Sequence, residues 1–287
     1  MYIQQFFDAL EKRMLFHQRA ETLQGYSLHS DTPGTATEPV IDGRLLIVSL
    51  TTYDKRLYDV YLTIESIMQQ TVKPNKIILW LAENMKDVEI PITLQRQQQR
   101  GLEIRYTKDI RSYKKLIPTL KEFPNDFIIT IDDDVLYNHD MIELFLSEYR
   151  KEPHCIHCGW ASQLALDANG QLDRKWEKDP IKEVEISMRN LPVGCAGVLY
   201  PPHCFAKEVM AEEVFMSICK YADDVWFKSM TLKNGYPCKA VRSDIHNYRF
   251  IDNPGCVHKG LTLINGEQNS VQIKAVFDKY ELNTLII

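Results

Sequence analysis

Four strand-sized runs, LLIVSL (45–50), IILWLA (77–82), EIRYT (103–107) and FIITI (127–131), recur through the first half of the chain with amphipathic segments between them. Continuous apolar runs fit strands covered on both faces, and strands alternating with helices require a mostly parallel sheet with right-handed crossovers. The intervening segments carry helix signals. Asp54 can open a helix that puts Leu57, Val60, Tyr61, Ile64, Ile67 and Met68 on one face and ends before Pro74. Pro91 opens a second that stops at Gly101, and Ser112 can cap YKKLIPTLKEF, which Pro118 must bend or shorten.

The ends of the chain are less regular. Residues 1–22 place Ile3, Phe6, Phe7, Leu10, Met14 and Leu15 near helical spacing, which suits packing on the protein's own core or docking to a membrane surface or partner. The stretch GYSLHSDTPGTATEP (25–39) has the composition of a loop. This divides the chain into an N-terminal helix and linker (1–40), a regular α/β half (41–150) and a second half (151–287) with strands at CIHCGW and CKAVRS and a helix from about Ala222 to Gly235. Lys and Arg number 34 against 39 Asp and Glu, a net charge of −5 that argues against a duplex nucleic-acid binder. No run approaches the ~18 apolar residues of a membrane span, and the N-terminus lacks a signal-peptide pattern, so a cytoplasmic protein with its seven cysteines reduced is expected.

The strongest chemical signal is Asp132-Asp133-Asp134, directly after FIITI. Three acids ending a buried strand repel one another and lose hydration unless something positive sits among them. Ligands of open α/β sheets bind beyond the strand C-termini, and a hard divalent cation there would share its shell with substrate phosphates. Asp132 and Asp134 project to one side of an extended segment, leaving Asp133 to the other. Arg111, Lys114 and Lys115 crowd an expected helix start, which the macrodipole disfavours unless an anion binds there. After the first strand, Thr51, Thr52, Tyr53 and Arg56 offer hydroxyls, a ring and a guanidinium to a base, ribose or phosphate; neither a P-loop nor a dinucleotide glycine fingerprint follows. Glu83, ending the second strand, can accept from a nucleobase or be a solvated acid.

Later in the chain, Asp223 and Asp224 open a helix, as caps of that helix or as a general base with Trp226 for an apolar wall. Gly194 and Gly197 permit close backbone approach to a substrate, or a tight turn. His246 and His258 are the late histidines best placed to act, and His258 joins Asp132 and Asp134 as a candidate metal ligand. Cys155 and Cys158 have zinc-like spacing but face opposite sides of a strand, with no second pair to match, so zinc is not supported.

Together, strand-TTYDKR, RSYKK, IITIDDD, the Gly-bearing VLYPP segment and ADDVW resemble the GT-A-fold glycosyltransferases, in particular family-2-like bacterial enzymes of surface-polysaccharide synthesis, over about residues 44–250. The resemblance implies an α/β fold with a Rossmann-like nucleotide-binding half and a smaller mixed acceptor half. It implies Mn²⁺ or Mg²⁺ on Asp132 and Asp134 holding the diphosphate of a nucleotide-sugar donor, UDP-sugar by default, with Thr51, Tyr53 and Arg56 on the nucleotide. Asp224 would be the base, with Asp223 beside it, in an inverting transfer to a glycan or lipid-linked acceptor. The Asp-Asp pair stands where Glu-Asp is commoner, and no Q-x-x-R-W string follows, so a processive polymerase is not implied. Three alternatives stand beside this reading. A sugar-phosphate nucleotidyltransferase also uses metal-bound acids but usually carries a glycine-rich loop after its first strand. A haloacid-dehalogenase-like phosphatase places its aspartates after the first strand. A non-catalytic carbohydrate-binding protein could occupy the same fold.

Overall fold

The computed structural model describes residues 2–167, 172, 185–241, 249–250 and 261–286. Its strands are β1 (Leu46–Thr51), β2 (Lys76–Ala82), β3 (Leu102–Thr107), β4 (Phe127–Thr130), β5 (Val135–Leu136), β6 (Ile156–Cys158), β7 (Ala161–Gln163), β8 (Asn190–Pro192), β9 (Val198–Tyr200), β10 (Cys238–Ala240) and β11 (Arg249–Phe250). The helices are α1 (Tyr2–His29), α2 (Val60–Met68), α3 (Ile92–Gln98), α4 (Ile117–Glu122), α5 (Met141–Lys151), α6 (Glu212–Ile218), α7 (Asp223–Lys233) and α8 (Leu261–Tyr280).

Seven strands form one sheet in the order β10-β6-β9-β4-β1-β2-β3. The pairs β1–β2, β2–β3, β1–β4 and β6–β10 are parallel, and β9 runs antiparallel to both β4 and β6. The fold is therefore α/β with a mostly parallel central sheet of Rossmann-like type. The apolar runs explain it: Leu46, Ile47, Val48 and Leu50 of β1 and Ile77, Ile78, Leu79 and Leu81 of β2 are all fully buried, which demands cover on both sheet faces. The direction of β9 matters for function. Because it enters where its neighbours leave, the turn before it (Gly194–Ala196) lies at the same end of the sheet as the residues that follow β1 and β4.

Several boundaries differ from the sequence reading. Asp54 does not cap a helix; with φ at 49° it starts a 3₁₀ turn over Asp54–Tyr58, and α2 begins at Val60. The segment opened by Ser112 likewise splits into a 3₁₀ turn (Arg111–Lys115) and α4, with Pro118 in the first turn of the latter, where its missing N–H costs nothing. The N-terminal helix runs on to His29, into the expected linker. Its second half is packed: Leu23 and Ser27 are buried, with Leu62 and Leu136 beside Leu23. Phe7, Leu10, Met14 and Leu15 are exposed. Among the described residues no helix is long and apolar enough to cross a membrane.

One buried ion pair fastens this N-terminal region to the sheet layer. Glu65 of α2, 0% exposed, accepts from Arg100 Nη1 at 2.8 Å and Nη2 at 2.9 Å, and from the amides of Gln69 and Gln97. Arg100 spends its remaining donors on the carbonyls of Tyr26 and Thr32. Burying two charges costs several kcal/mol unless their lone pairs and protons are used, and here four bonds reach the carboxylate and four leave the guanidinium. Glu65→Ala would strand the guanidinium, so a loss of about 3–5 kcal/mol in urea unfolding is expected, with faster proteolysis between residues 26 and 32.

Candidate functional site

The residues after β4 do not stay extended. The chain turns at Asp133 and Asp134, and the three acids separate by partner rather than by strict alternation. Asp133 is buried, taking Thr52 Oγ1 at 2.6 Å and Arg56 Nη1 at 2.5 Å. Asp134 shares the same guanidinium, 3.0 Å from Arg56 Nη2. Asp132 faces Lys115 Nζ at 3.0 Å. The expectation that Asp132 and Asp134 pair off against Asp133 is thus corrected, although those two remain the open acids, 33% and 28% exposed against 7% for Asp133.

Lys115 is the hub. It is almost fully buried, with Asp132 on one side and Asp223 Oδ2 at 2.9 Å and Asp224 Oδ1 at 3.7 Å on the other. Burial alone would push its pKa down; the three carboxylates outweigh it and hold the ammonium well above its usual range. Ser112 Oγ donates to Asp223 Oδ1, and the Gly194 N–H donates to Asp224 Oδ2 at 3.0 Å. The first turn of α7 and Asp132 therefore meet at Lys115.

The charge there is unbalanced: five carboxylates surround two cations, Arg56 and Lys115. Desolvation, then the charges of Asp133 and Asp132, push Asp134 up to about 6 against the pull of Arg56. Burial pushes Asp224 up to about 7, Asp223 and Asp132 adding to it and Lys115 opposing. Carboxyls held this reluctant to ionise mark a place short of positive charge.

Other expected residues scatter. Lys114 is buried but turned to Asp109. Arg111, at φ 59°, lays its guanidinium over the Tyr221 ring at 4.8 Å. Since these cations follow no α-helix start, the anion site expected at one is corrected to a lysine among carboxylates. Glu83 is exposed beside Lys86. Thr51 Oγ1 bonds the Trp80 carbonyl within the sheet. Trp226 is no wall of the site: it is fully buried, with Nε1 on the Val209 carbonyl and its ring against Phe215 and Tyr280. Gly197, at φ 81°, faces Met141 and Phe145 and serves packing. Gly194 does sit at the site, where a Cβ would fall 2.6 Å from Asp224 Oδ1 and 2.8 Å from Lys115 Nζ. His246 and His258 lie outside the described residues.

A cleft of about 450 Å³ is lined by Tyr53, Asp54, Lys55, Tyr58, Asn84, Met85, Asp109 and Lys114, and by none of the five clustered acids. Tyr53 and Tyr58 expose their rings, and the Arg56 guanidinium lies 5.5 Å from the Tyr53 ring centre. Tyr58, Asn84, Asp109 and the buried Tyr137, which follows the short apolar β5, escaped sequence reading.

No family model matches the chain, and no curated protein matches it. Among solved structures it is similar to a CMP:2-keto-3-deoxy-manno-octonic acid synthetase complexed with CTP, at 11% identity and a TM-score of 0.40, over 78% of this chain and 98% of that one. What that structure is named for is the chemistry of the alternative given above, a sugar nucleotidyltransferase, and not that of the glycosyltransferase expected from the motifs. The likeness concerns the fold alone.

Two outcomes follow from the geometry. Asp134 and Asp224 bind protons more tightly folded than unfolded, so their contribution is complete below about pH 4, the ordinary carboxylate range, and is lost as pH rises through 6 and 7. The melting temperature of the metal-free protein should fall across that window, and the fall should flatten in the Asp134→Asn, Asp224→Asn double variant. Gly194→Ala should push Asp224 off Lys115 and cost about 1–3 kcal/mol in chemical unfolding.

Proposed function

We propose that the protein is a divalent-metal-dependent sugar nucleotidyltransferase, which joins a nucleoside monophosphate from a nucleoside triphosphate to an oxygen of a sugar or sugar phosphate and releases pyrophosphate. The observation that supports this most is the surplus of acids, in two groups on either side of Lys115, with Arg56 linking them to Tyr53 of a cleft lined by exposed tyrosine rings. The residues fit a hard cation. Asp132 and Asp134 are open to it, and no third His, Cys, Asp or Glu among the described residues completes a protein-only set. A cation so held takes its remaining ligands from phosphate and water, as Mg²⁺ and Mn²⁺ do.

When bound, the metal would neutralise the triphosphate and the charge growing on the departing pyrophosphate. The chain's own groups do the rest. Tyr53 and Tyr58 stack on the base, and Asn84 and Asp109 offer polar atoms to its edge. Thr52 and Arg56 hold Asp133, which fixes the Tyr53 loop against the strand-end acids. Lys115 keeps Asp132 and the α7 acids in one cluster. Asp224, with its proton leaving at about 7, receives the proton of an attacking sugar hydroxyl near neutral pH. The sugar oxygen forms the new bond to the α-phosphorus as the bond to pyrophosphate breaks.

The test is pyrophosphate release from each of the four ribonucleoside triphosphates with Mg²⁺ or Mn²⁺ and a panel of sugars and sugar phosphates. Release that needs both a triphosphate and a sugar is expected, and Asp134→Ala should lower it by at least about 100-fold, several kcal/mol of charge stabilisation being at stake. Liberation of a nucleoside diphosphate from a nucleotide sugar, with no pyrophosphate formed from any triphosphate, would overturn the assignment.

A further inference from the structure

The two acid groups are joined a second time, behind Lys115. Tyr137, just past β5, is fully buried. Its hydroxyl accepts the Asp132 N–H at 3.0 Å and donates to the Cys195 carbonyl at 2.9 Å. Cys195 follows Gly194, whose N–H donates to Asp224 Oδ2. The Asp132 main chain, the Tyr137 phenol, the Gly194–Cys195 turn, Asp224 and Lys115 thus close a ring that returns to the Asp132 carboxylate. Tyr137 itself is held from outside: its N–H donates to Ser66 Oγ of α2 at 3.1 Å, and its carbonyl accepts from Arg19 of α1. A phenol anchored on two helices and bonded at one oxygen to both halves of a site acts as a spacer. Lys115 alone could not, since a flexible side chain sets no fixed separation.

We propose that Tyr137 is a positioning residue whose hydroxyl fixes the separation between the cation seat at Asp132 and the carboxylate of Asp224, so that each acid group responds to the occupancy of the other. This rests on the metal-binding reading given above. A buried hydroxyl of purely structural value would change stability when removed and leave both cation affinity and the link to Asp224 alone.

Mn²⁺ itself is the probe, its free concentration read by electron paramagnetic resonance in the full chain. Tyr137→Phe removes one oxygen; Thr119→Val removes another buried hydroxyl, on α4, bonded to Ser49 and Trp80 outside the ring. Tyr137→Phe should weaken Mn²⁺ binding by about 10- to 100-fold, the usual effect of losing a partner that orients a metal ligand. Thr119→Val should leave it unchanged. Asp224→Asn should shift Mn²⁺ affinity in the wild type and shift it less in the Tyr137→Phe background. Unaltered Mn²⁺ binding by Tyr137→Phe, or an Asp224→Asn effect of equal size in both backgrounds, overturns the inference. If the wild type itself takes up no Mn²⁺, the proposed function falls and this inference with it. Should Tyr137→Phe not fold, a fluorotyrosine at position 137 keeps the oxygen and changes its donor strength; Mn²⁺ affinity should then move, and constancy overturns the proposal.

Discussion

A single buried ammonium makes this site possible. Without Lys115, the acids that end β4 and those that begin α7 would repel one another across a poorly hydrated gap, and neither could stay ionised at small cost. The lysine reaches Asp132 of the first group and both acids of the second from a short 3₁₀ turn. Its one charge cannot neutralise three neighbours, and Arg56 is already occupied by Asp133 and Asp134. The result is a scaffold stable enough to hold its acids together and still attractive to further positive charge.

Around that point the fold supplies rigidity in layers. Asp133 ties the loop after β1 to the loop after β4 through Thr52 and Arg56, while Thr63 of α2 donates to the Asp133 carbonyl. Ser112 holds Asp223, and Gly194 holds Asp224. The more remote Glu65–Arg100 pair secures α1 over α2 and α3 without touching the site. Neighbouring acids thus have different tasks, and only their partners reveal which is which.

Much of the fold was legible because its signals are local and strong. Continuous apolar runs named four parallel strands, and a triple aspartate after the last of them placed the candidate site at the strand ends. The second half was harder. Its strands are two or three residues each, too short for periodicity, and the one antiparallel member of the main sheet among the described residues, β9, gives no local sign of its direction. Trp226 stands two places after Asp224 but points into the core, since helical residues two apart face different ways. The basic cluster misled for a related reason: a 3₁₀ turn aims Arg111, Lys114 and Lys115 in three directions, to Tyr221, to Asp109 and to the acids. The motifs suggested a donor sugar, whereas the type of transfer depends on where a second substrate sits, and spacing along a chain does not encode that.

The reversed direction of β9 bears on how such a protein can diversify. Its register with β4 sets Val198 opposite Thr130, so the turn delivering Gly194 is indexed to the strand that delivers Asp132. A one-residue slip of β9 would turn its side chains to the other face and carry Gly194 away from Asp132. Substitutions that leave this pairing intact leave the acid framework its dimensions, so the freedom of the chain to vary lies in what does not pair.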